Sequence, residues 1–347
     1  MPKRAAAKPP TLTEVARLAG VSVPTASRVL NGGVRGETSG TTELRDRVRA
    51  AARSLGYAPN PAAQTIKGGR SKTVALLVGD IEDQGSATMI AGVMHAAEKR
   101  GVSVAVRATY DDARRERAIL EALRGERHRG IIVATSRTVD SVREKAITNH
   151  LEVLADQGAR VVVIGNSALG FPQVTIDNVA AATALAEALV DTGAQRFAVL
   201  AGPDDQVTSR DRVAGFLAGL GNRGINTRNV PVIHRAFSRD GGYAGFDALG
   251  EEVRHLDVVA AMSDAMAVGA MVRARELSIS VPEELEISGF DHVPMISDLL
   301  PRFSTVEVPL EAFGEAAISL ILDSPESKVD AVTLKAQTVV HGQRPTR

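Results

Sequence analysis

The sequence predicts an α/β protein in which a short helical head precedes two similar halves, each built on a doubly wound parallel sheet. Two observations carry this prediction. From about residue 72 onward, short runs rich in β-branched residues alternate with longer amphipathic stretches, a pattern typical of parallel sheets with helices on both faces. The alternating region also has about twice the residues that one such sheet needs.

The composition narrows the class of protein. The 347 residues are 44% hydrophobic and 24% charged and include no cysteine, which fits a sizeable core and excludes disulfides and cysteine-bound metals. No apolar run approaches the roughly 18 residues that span a bilayer, so we expect no membrane partner. Residues 1–10 are interpreted as a flexible basic arm, because no hydrophobic segment follows their charges as in a secretory signal.

The formal net charge of zero conceals a charge asymmetry. Residues 1–72 contain 13 Lys and Arg against 4 Asp and Glu, a net charge of +9, which leaves 28 basic and 37 acidic residues and a net charge of −9 in the remainder. A basic head predicts a polyanionic partner, with a merely solvated charged surface as the alternative. Aromatic residues make up only 3% and tryptophan is absent, so double-stranded DNA is favoured over single strands.

The head, residues 11–59, has the pattern of a helix-turn-helix DNA-binding domain. Thr11 begins a capping box, Gly20 supplies a left-handed turn, and Ser22 with Pro24 starts a second helix. The outer face of the second helix carries short or guanine-reading side chains suited to a major groove, with an ordinary helical hairpin as the alternative. The predicted DNA contacts of this helix are Val23, Pro24, Thr25, Ser27, Arg28 and Asn31.

The hinge, residues 60–72, begins with Asn60 at an N-cap and Pro61 at the first helical position, and glycines 68 and 69 end the helical segment. An isolated helix of this length is unstable in water, so we expect it to form only on DNA. A plain linker with one buried isoleucine is the alternative.

The residues of the head carry a family resemblance. Residues 11–22, 25–32, 45–48 and 55–60 resemble the headpiece of the LacI/GalR family of transcription regulators. The resemblance implies hinge helices that pair across a homodimer and wedge an apolar side chain into the minor groove. The implied hinge contacts are Ala63, Ile66 and Lys67.

The sequence also departs from the family in the head. Residues 33–42 form a connection about four residues longer than usual, which suggests a flexible loop. Val23 and Pro24 stand where the family often has polar base-reading residues, so readout there is expected to be apolar, against thymine methyls. Arg28 is then the expected guanine reader. Thr25 and Ser27 are expected on phosphates.

The core is predicted to span residues 73–347. The family fold, which resembles periplasmic sugar-binding proteins, implies an N-subdomain of about 73–174 and 305–330 and a C-subdomain of about 175–304 and 331–345. Three crossing strands join the two subdomains, and the third is expected near residues 304–309, where the chain changes subdomain. The residue pattern predicts strands at 73–78, 102–108, 130–134, 159–164, 196–201, 230–233, 258–262 and 285–289. It predicts helices at 86–100, 113–123, 141–157, 178–192, 211–221, 241–250 and 266–277.

Polar residues follow several predicted strands, where ligands of parallel sheets bind. An arginine, carboxylates and an aromatic face fit a hydroxylated small molecule. The candidate effector residues are Asp177, Thr208, Arg212, Phe237, Ser263, Asp264 and Asp291.

The resemblance sharpens these candidates. It implies effector contacts at Arg212 and Asp291 and an aromatic stacking position at Phe237. Ser263 and Asp264 match an Asn-Asp motif of the family, with serine in place of the asparagine. Gly165 stands where the family often has an aspartate, and Val308 stands where it often has a polar effector contact. These differences leave the identity of the effector open, with a sugar or polyol favoured over a purine.

Structural alternatives exist for four candidates. Asp177 and Asp264 can simply cap the helices that follow them. Arg212 and Asp291 can form a structural ion pair.

We therefore expect a cytoplasmic, homodimeric or higher oligomeric DNA-binding regulator, most simply a repressor, controlled by a small molecule in the cleft. The resemblance implies dimer contacts on the helix at 86–100. The alternative is a protein of a different functional class, a solute-binding protein with a basic N-terminal extension. An enzyme is disfavoured because no nucleophile-elbow, P-loop or dinucleotide motif is present, and we expect no cofactor and no metal. Whether the effector releases the operator or promotes its binding stays open.

Overall fold

The computed structural model describes residues 10–31, 40–58, 71–323 and 331–341, with backbone only at residue 31. Contacts divide the chain into two compact units, Met1–Lys72 and Thr73–Arg347, which we call the head unit and the core. Among the described residues, no helix is both long and apolar enough to cross a membrane.

The described part of the head unit consists of three helices, α1 (Leu12–Ala19), α2 (Val23–Asn31) and α3 (Thr42–Leu55). Both halves of the predicted capping box at Thr11 are formed, and Gly20 ends α1 in the left-handed conformation with φ of 64°. Small side chains let the helices approach closely around one core. This core consists of Val15, Ala16, Ala19, Ala26, Val29, Val48, Ala51 and Ala52.

The first lobe of the core is a parallel sheet covered by helices on both faces. Its described strands are β1 (Thr73–Val78), β2 (Ser103–Ala108), β3 (Gly130–Ala134), β4 (Arg160–Ile164), β5 (Gln173–Ile176) and β11 (Ala331–Leu334). They lie in the order β11-β5-β4-β3-β1-β2, and residues 74–78 of the inner strand β1 are fully buried, as a sheet covered on both faces requires. The helices are α4 (Gln84–Lys99), α5 (Ala113–Leu123), α6 (Ser141–Asp156) and α12 (Leu310–Leu322).

The second lobe is a parallel sheet extended by an antiparallel pair of strands. Its strands are β6 (Phe197–Ala201), β7 (Val232–His234), β8 (Val258–Ala261), β9 (Glu286–Ser288), β10 (Thr305–Glu307) and β12 (Gln337–Val339). The parallel strands lie in the order β7-β6-β8-β9, and β10 pairs with β12. Backbone bonds from Gly289 N to Ser304 O and from Asp291 N to Val306 O attach β10 to the end of β9. The helices are α7 (Asn178–Asp191), α8 (Val207–Asn222), α9 (Arg239–Asp247), α10 (Asp264–Glu276) and α11 (Pro294–Leu299), with 3-10 turns at Thr227–Asn229 and Gly250–His255.

Two segments lie in the other lobe from the one expected. Residues 331–334 were expected in the C-subdomain, but β11 pairs in parallel with β5 and so completes the first sheet. Residues 305–307 were expected in the N-subdomain, but β10 hydrogen-bonds to the end of β9 and to β12 in the second lobe. The chain therefore exchanges lobes at residues 308–309, within the crossing expected near 304–309, and again at residues 335–336, a few residues after the expected bound at 330–331.

Candidate DNA-binding and effector-binding sites

The second helix of the head presents the predicted base-reading face. Pro24 and Arg28 are exposed, and with Val23 and Ser27 they line one surface concavity. Val23 is half-buried because part of its side chain packs on the core of the head. Pro24 has no N–H and Val23 no polar side-chain atom, so this end of the helix offers an apolar surface, while Arg28 offers up to five donors.

The predicted phosphate contacts also have a local structural role. Ser22 caps α2, since its Oγ accepts from Thr25 N at 3.3 Å and lies 2.8 Å from Thr25 Oγ1. The hydroxyl of Thr25 is therefore held at the N-terminus of α2, where backbone N–H groups favour an anion. The side chain of Asn31 and the hinge residues Ala63, Ile66 and Lys67 lie outside the described residues.

In the core, the carboxyl ends of the strands of the two lobes face each other. The loop after β3 contacts the loop after β6 through two backbone bonds, from Val139 N to Asp205 O at 2.8 Å and from Val207 N to Arg137 O at 2.9 Å. Asn166 after β4 donates to Asp211 Oδ2 on α8 at 2.7 Å. These contacts define an interlobe cleft and hold its walls together.

Arg212 lies on the cleft side of α8 and is buried. Its guanidinium donates to Asn178 Oδ1 at 3.0 Å, Met262 O at 2.6 Å and Asp291 Oδ1 at 3.2 Å, and stacks over the Phe290 ring at 3.8 Å. The structural ion pair considered above is thus formed. Because a guanidinium has five N–H groups, two of them are not engaged by these partners and can serve a ligand.

Asp291 sits in a strained segment at the end of the second sheet. Its φ is 122° and that of His292 is 57°, both in the region that favours glycine. Desolvation by burial raises the pKa of the Asp291 carboxyl to about 7, Arg212 opposes this, and the carboxylates of Asp264 and Asp83 add to it. A strained carboxyl with a displaced pKa in a cleft is typical of a functional group.

Asp83 reaches this region from the first lobe. It caps α4 by accepting from Ser86 N at 2.8 Å. A Cβ on Gly85 would lie 3.3 Å from Asp83 Oδ2 and 3.7 Å from Asp291 Oδ2, so Gly85 is in close proximity to both carboxylates at this approach of the lobes.

The side chain of Asp264, one of the expected effector residues, is turned away from solvent. Asp264 is fully buried, with its oxygens accepting from Val293 N at 2.7 Å and Thr305 Oγ1 at 3.0 Å. The cap of α10 is the preceding Ser263, whose Oγ accepts from Met266 N at 3.3 Å. The alternative that Asp264 caps this helix is therefore wrong. Its carboxylate instead holds two other segments.

The remaining predicted effector residues differ in their exposure and in their contacts. Asp177 is exposed and caps α7 by accepting from Ala180 N at 2.8 Å, as the structural alternative proposed. The half-buried Phe237 ring lies across Gly202 at the end of β6, where a Cβ would approach it to 2.2 Å. Thr208 is half-buried in the first turn of α8.

The structure explains the residues at the two cleft positions, 165 and 308, where the sequence departs from the family. Gly165 has φ of 104°, which an aspartate would adopt only with strain. Val308 is buried within the hydrophobic core beside the crossing, so it offers no polar contact.

Sequence reasoning missed three polar residues at this site: Asn178, Asn166 and Asp211. Asn178 directly follows the predicted Asp177 and orients Arg212. Asn166 and Asp211 bond across the cleft. Only their positions in the sequence could have suggested them, since Asn166 lies just after the end of β4 and Asp211 lies near the start of α8.

Comparisons with known proteins agree with this architecture. Residues 11–60 match the model of the lacI family of bacterial regulatory proteins, and residues 186–343 match a periplasmic binding protein-like domain. The chain is 30% identical over 324 residues to the HTH-type transcriptional regulator CelR of Thermobifida fusca, covering 90% of this chain and 91% of that protein. It is also 30% identical over 324 residues to the HTH-type transcriptional regulator GalS of Salmonella typhimurium, covering 92% and 91%.

Solved structures show the same fold. The Lac repressor dimer bound to operator and the anti-inducer ONPF superposes with a TM-score of 0.82 at 22% identity, covering 96% of this chain and 98% of that one. A CelR–cellobiose complex superposes with a TM-score of 0.67 at 26% identity, covering 95% and 98%. The predicted fold and the prediction of a regulator rather than an enzyme are confirmed. The chain belongs to the LacI family of DNA-binding transcription regulators.

Proposed function

We propose that this regulator is a homodimeric repressor, acting in the cytoplasm where its operator lies, whose operator affinity changes when a sugar or related polyol binds in the interlobe cleft. The observation that carries the proposal is the meeting of the two sets of strand ends around Arg212 and Asp291. Two lobes that touch through a few hydrogen bonds can move relative to each other when a ligand changes those contacts.

The chemistry of the cleft supports a hydroxylated ligand. Arg212 has two N–H donors to offer, Asp291 can accept, and the face of Phe237 lies at the end of a neighbouring strand. Donors, acceptors and an apolar face together match a sugar ring, which has hydroxyls at its edge and C–H groups on its faces. The similar CelR structure was solved as a complex with cellobiose, which makes this disaccharide the first compound to try.

The head supplies DNA binding under the same proposal. The apolar surface at Val23 and Pro24 is proposed to contact thymine methyls, Arg28 to read guanine, and Thr25 and Ser27 to hold phosphates. Asn31 and the hinge residues Ala63, Ile66 and Lys67 complete the proposed contact set. A two-fold protein then requires a pseudo-palindromic operator.

The dimer is proposed to form through two exposed apolar surfaces of the core. On the first lobe, Met94 is 50% exposed on the outer side of α4, the helix that the resemblance implies. On the second lobe, α10 and α11 border an apolar groove of about 920 Å³ whose rim includes Leu299, 74% exposed. The Lac repressor, with the same fold, was solved as a dimer bound to operator. A second copy of this chain is the occupant that a two-fold regulator requires.

The test of effector control combines thermal stability and operator binding. Cellobiose, other mono- and disaccharides and nucleobases are screened for a rise in the unfolding temperature of the full chain. Each compound that stabilises the protein is then titrated against a protein–operator complex. We expect a sugar to stabilise the core and to change operator affinity, whereas stabilisation by nucleobases alone would contradict the proposed ligand class.

A further inference from the structure

Asp264 is the most completely buried carboxylate at the cleft, and its side chain has no capping role. It is the first residue of α10, yet Ser263 supplies the cap of that helix. Burial raises the pKa of its carboxyl, against the hydrogen bonds that it accepts. A buried carboxylate is costly unless hydrogen bonds satisfy it, so the partners of Asp264 indicate what it is retained for.

The two carboxylate oxygens bind two different segments. Oδ2 accepts from Val293 N at 2.7 Å, two residues beyond the strained Asp291. Oδ1 accepts from Thr305 Oγ1 at 3.0 Å, and Thr305 is fully buried in β10. The backbone N of Asp264 also donates to Phe290 O at 2.8 Å, so the segment on both sides of Asp291 is fixed to the start of α10.

The close packing around this carboxylate is matched by a glycine. A Cβ at Gly289 would lie 2.1 Å from Asp264 Oδ1, a distance that no side chain can accommodate without displacing the carboxylate. Gly289 therefore lets the end of β9 pass directly beside Asp264. Strand β10, on the other side, leads within two residues into the crossing at 308–309.

We propose that Asp264 is a positioning residue that fixes the Asp291 turn to strand β10, so that the orientation of Asp291 toward Arg212 and the geometry of the lobe crossing change together. This inference rests on the proposed function, because it states how the effector cleft is connected to the arrangement of the two lobes. In this proposal Asp264 acts through Asp291, since both of its carboxylate oxygens accept hydrogen bonds from the chain itself.

Three variants separate this role from others. Asp264→Ala removes both hydrogen bonds, and Thr305→Val removes only the one to β10. Asp264→Asn can keep both, because its amide oxygen accepts from Val293 N while its NH₂ donates to Thr305 Oγ1, whose hydroxyl then turns away. Asp112→Ala is the matched control, since it removes an exposed aspartate that caps α5 in the first lobe.

The distance between the lobes is the primary measurement. The natural chain has no cysteine, so Glu152→Cys on α6 and Glu251→Cys after α9 place one spin label on each lobe. We expect Asp264→Ala and Thr305→Val to broaden the interlobe distance distribution, the double variant to be no broader than Asp264→Ala, and Asp264→Asn and Asp112→Ala to match the parent. Thr305→Val and Asp264→Asn keep the test informative should Asp264→Ala not fold.

Two outcomes would overturn the inference. One is an unchanged distance distribution in Thr305→Val, even if stability falls, because that indicates a merely structural bond. The other is a distribution in Asp264→Asn as broad as in the variants that lose the bonds. Operator affinity, measured on the same variants without added ligand, tests the proposed function separately. A change of about fivefold or more is expected where the distribution broadens, and unchanged affinity there would count against effector control while leaving the positioning role intact.

Discussion

Arg212 and Asp291 form an ion pair with 3.2 Å between Nη2 and Oδ1, joining helix α8 to the strained end of the second sheet. Both side chains are largely shielded from solvent, and Phe290 lies under the guanidinium. A ligand hydroxyl that binds Asp291 must share it with Arg212, which makes this pair the natural point where binding changes local geometry.

The pH dependence of stability should reveal the state of Asp291. Its folded-state pKa is raised by burial to about 7 from the ordinary value of 3.8, so the native protein binds more protons than the unfolded chain between these values. The stabilising contribution is therefore complete below about pH 4 and is lost as the pH rises through about 7. We expect the free energy of unfolding, relative to Asp291→Asn, to fall by roughly 1–3 kcal/mol from pH 4.5 to 7.5.

Urea unfolding of both proteins across this range checks the prediction. Parallel pH profiles for the parent and Asp291→Asn would show that Asp291 keeps its ordinary pKa, and a relative rise with pH would reverse the assigned sign.

Arg28 should carry base preference. It is exposed on the reading face of α2, so Arg28→Ala is expected to relax the preference at one base pair and its symmetry mate and to cost about 1–3 kcal/mol of binding per contact. Operator variants measured by fluorescence anisotropy at fixed salt check this. Arg53→Ala, at the end of α3, is the control for lost positive charge and should leave base preference unchanged. If Arg28→Ala binds every operator variant with the parent's rank order, another residue reads guanine.

The packing of α4 on α12 requires glycine at residue 92. A Cβ there would lie 2.4 Å from the backbone oxygen of Glu311, which cannot move without shifting α12. We expect Gly92→Ala to destabilise the core by about 1–3 kcal/mol. Gly221→Ala is the matched helical control, because its Cβ would meet only Thr227 Cγ2 at 4.0 Å. Chemical denaturation should therefore separate the two variants, and equal stability would argue against close approach of these helices.

The bond between Asn166 and Asp211 should hold the cleft walls together with the neighbouring backbone bonds. Asn166→Ala is expected to raise amide exchange at Val139 and Val207 about fivefold, which corresponds to roughly 1 kcal/mol. Asn222→Ala removes a similar 2.7 Å bond, to Glu187, that lies within the second lobe. Unchanged exchange at both amides in Asn166→Ala would mean that the Asn166–Asp211 bond and the two backbone bonds open independently.

The proposed dimer surface can be tested with a buried charge. Leu299→Asp introduces a carboxylate at the rim of the apolar groove and should convert a dimer into a monomer at micromolar concentration, because an unpaired charge is costly at an interface. Val142→Asp changes a similarly exposed aliphatic residue on the first lobe and should leave the dimer intact. Sedimentation velocity distinguishes these states. A parent protein that is already monomeric, or an unaffected Leu299→Asp dimer, would exclude this surface.

Much of the fold follows from local sequence signals. Helix Ala113–Leu123 and strands Thr73–Val78 and Gly130–Ala134 have the predicted bounds because polar and apolar residues change sharply at their ends. Helix Leu310–Leu322 was not predicted, since it packs against both α4 and the first sheet and so lacks a long polar face. The partner of β11 is equally hidden in the sequence, because strand pairing across 158 residues depends on where the chain crosses between lobes.

The site was predictable by position but only partly by role. Arg212 and Asp291 were chosen from the residues that follow strands, and they do meet. Ser263 and Asp264 are adjacent polar residues, and sequence alone gives no indication of which of them turns inward. That choice depends on Val293 and Thr305, which come from distant parts of the chain.

The exposed face of α2 is proposed to give the full-length protein a specific, two-fold target on DNA. Selection of bound duplexes from a random pool measures this specificity. We expect the parent protein to recover a pseudo-palindromic consensus that the Arg28→Ala variant no longer enriches at one position in each half-site. Bound duplexes without any shared or symmetric sequence would show that the protein has no such target.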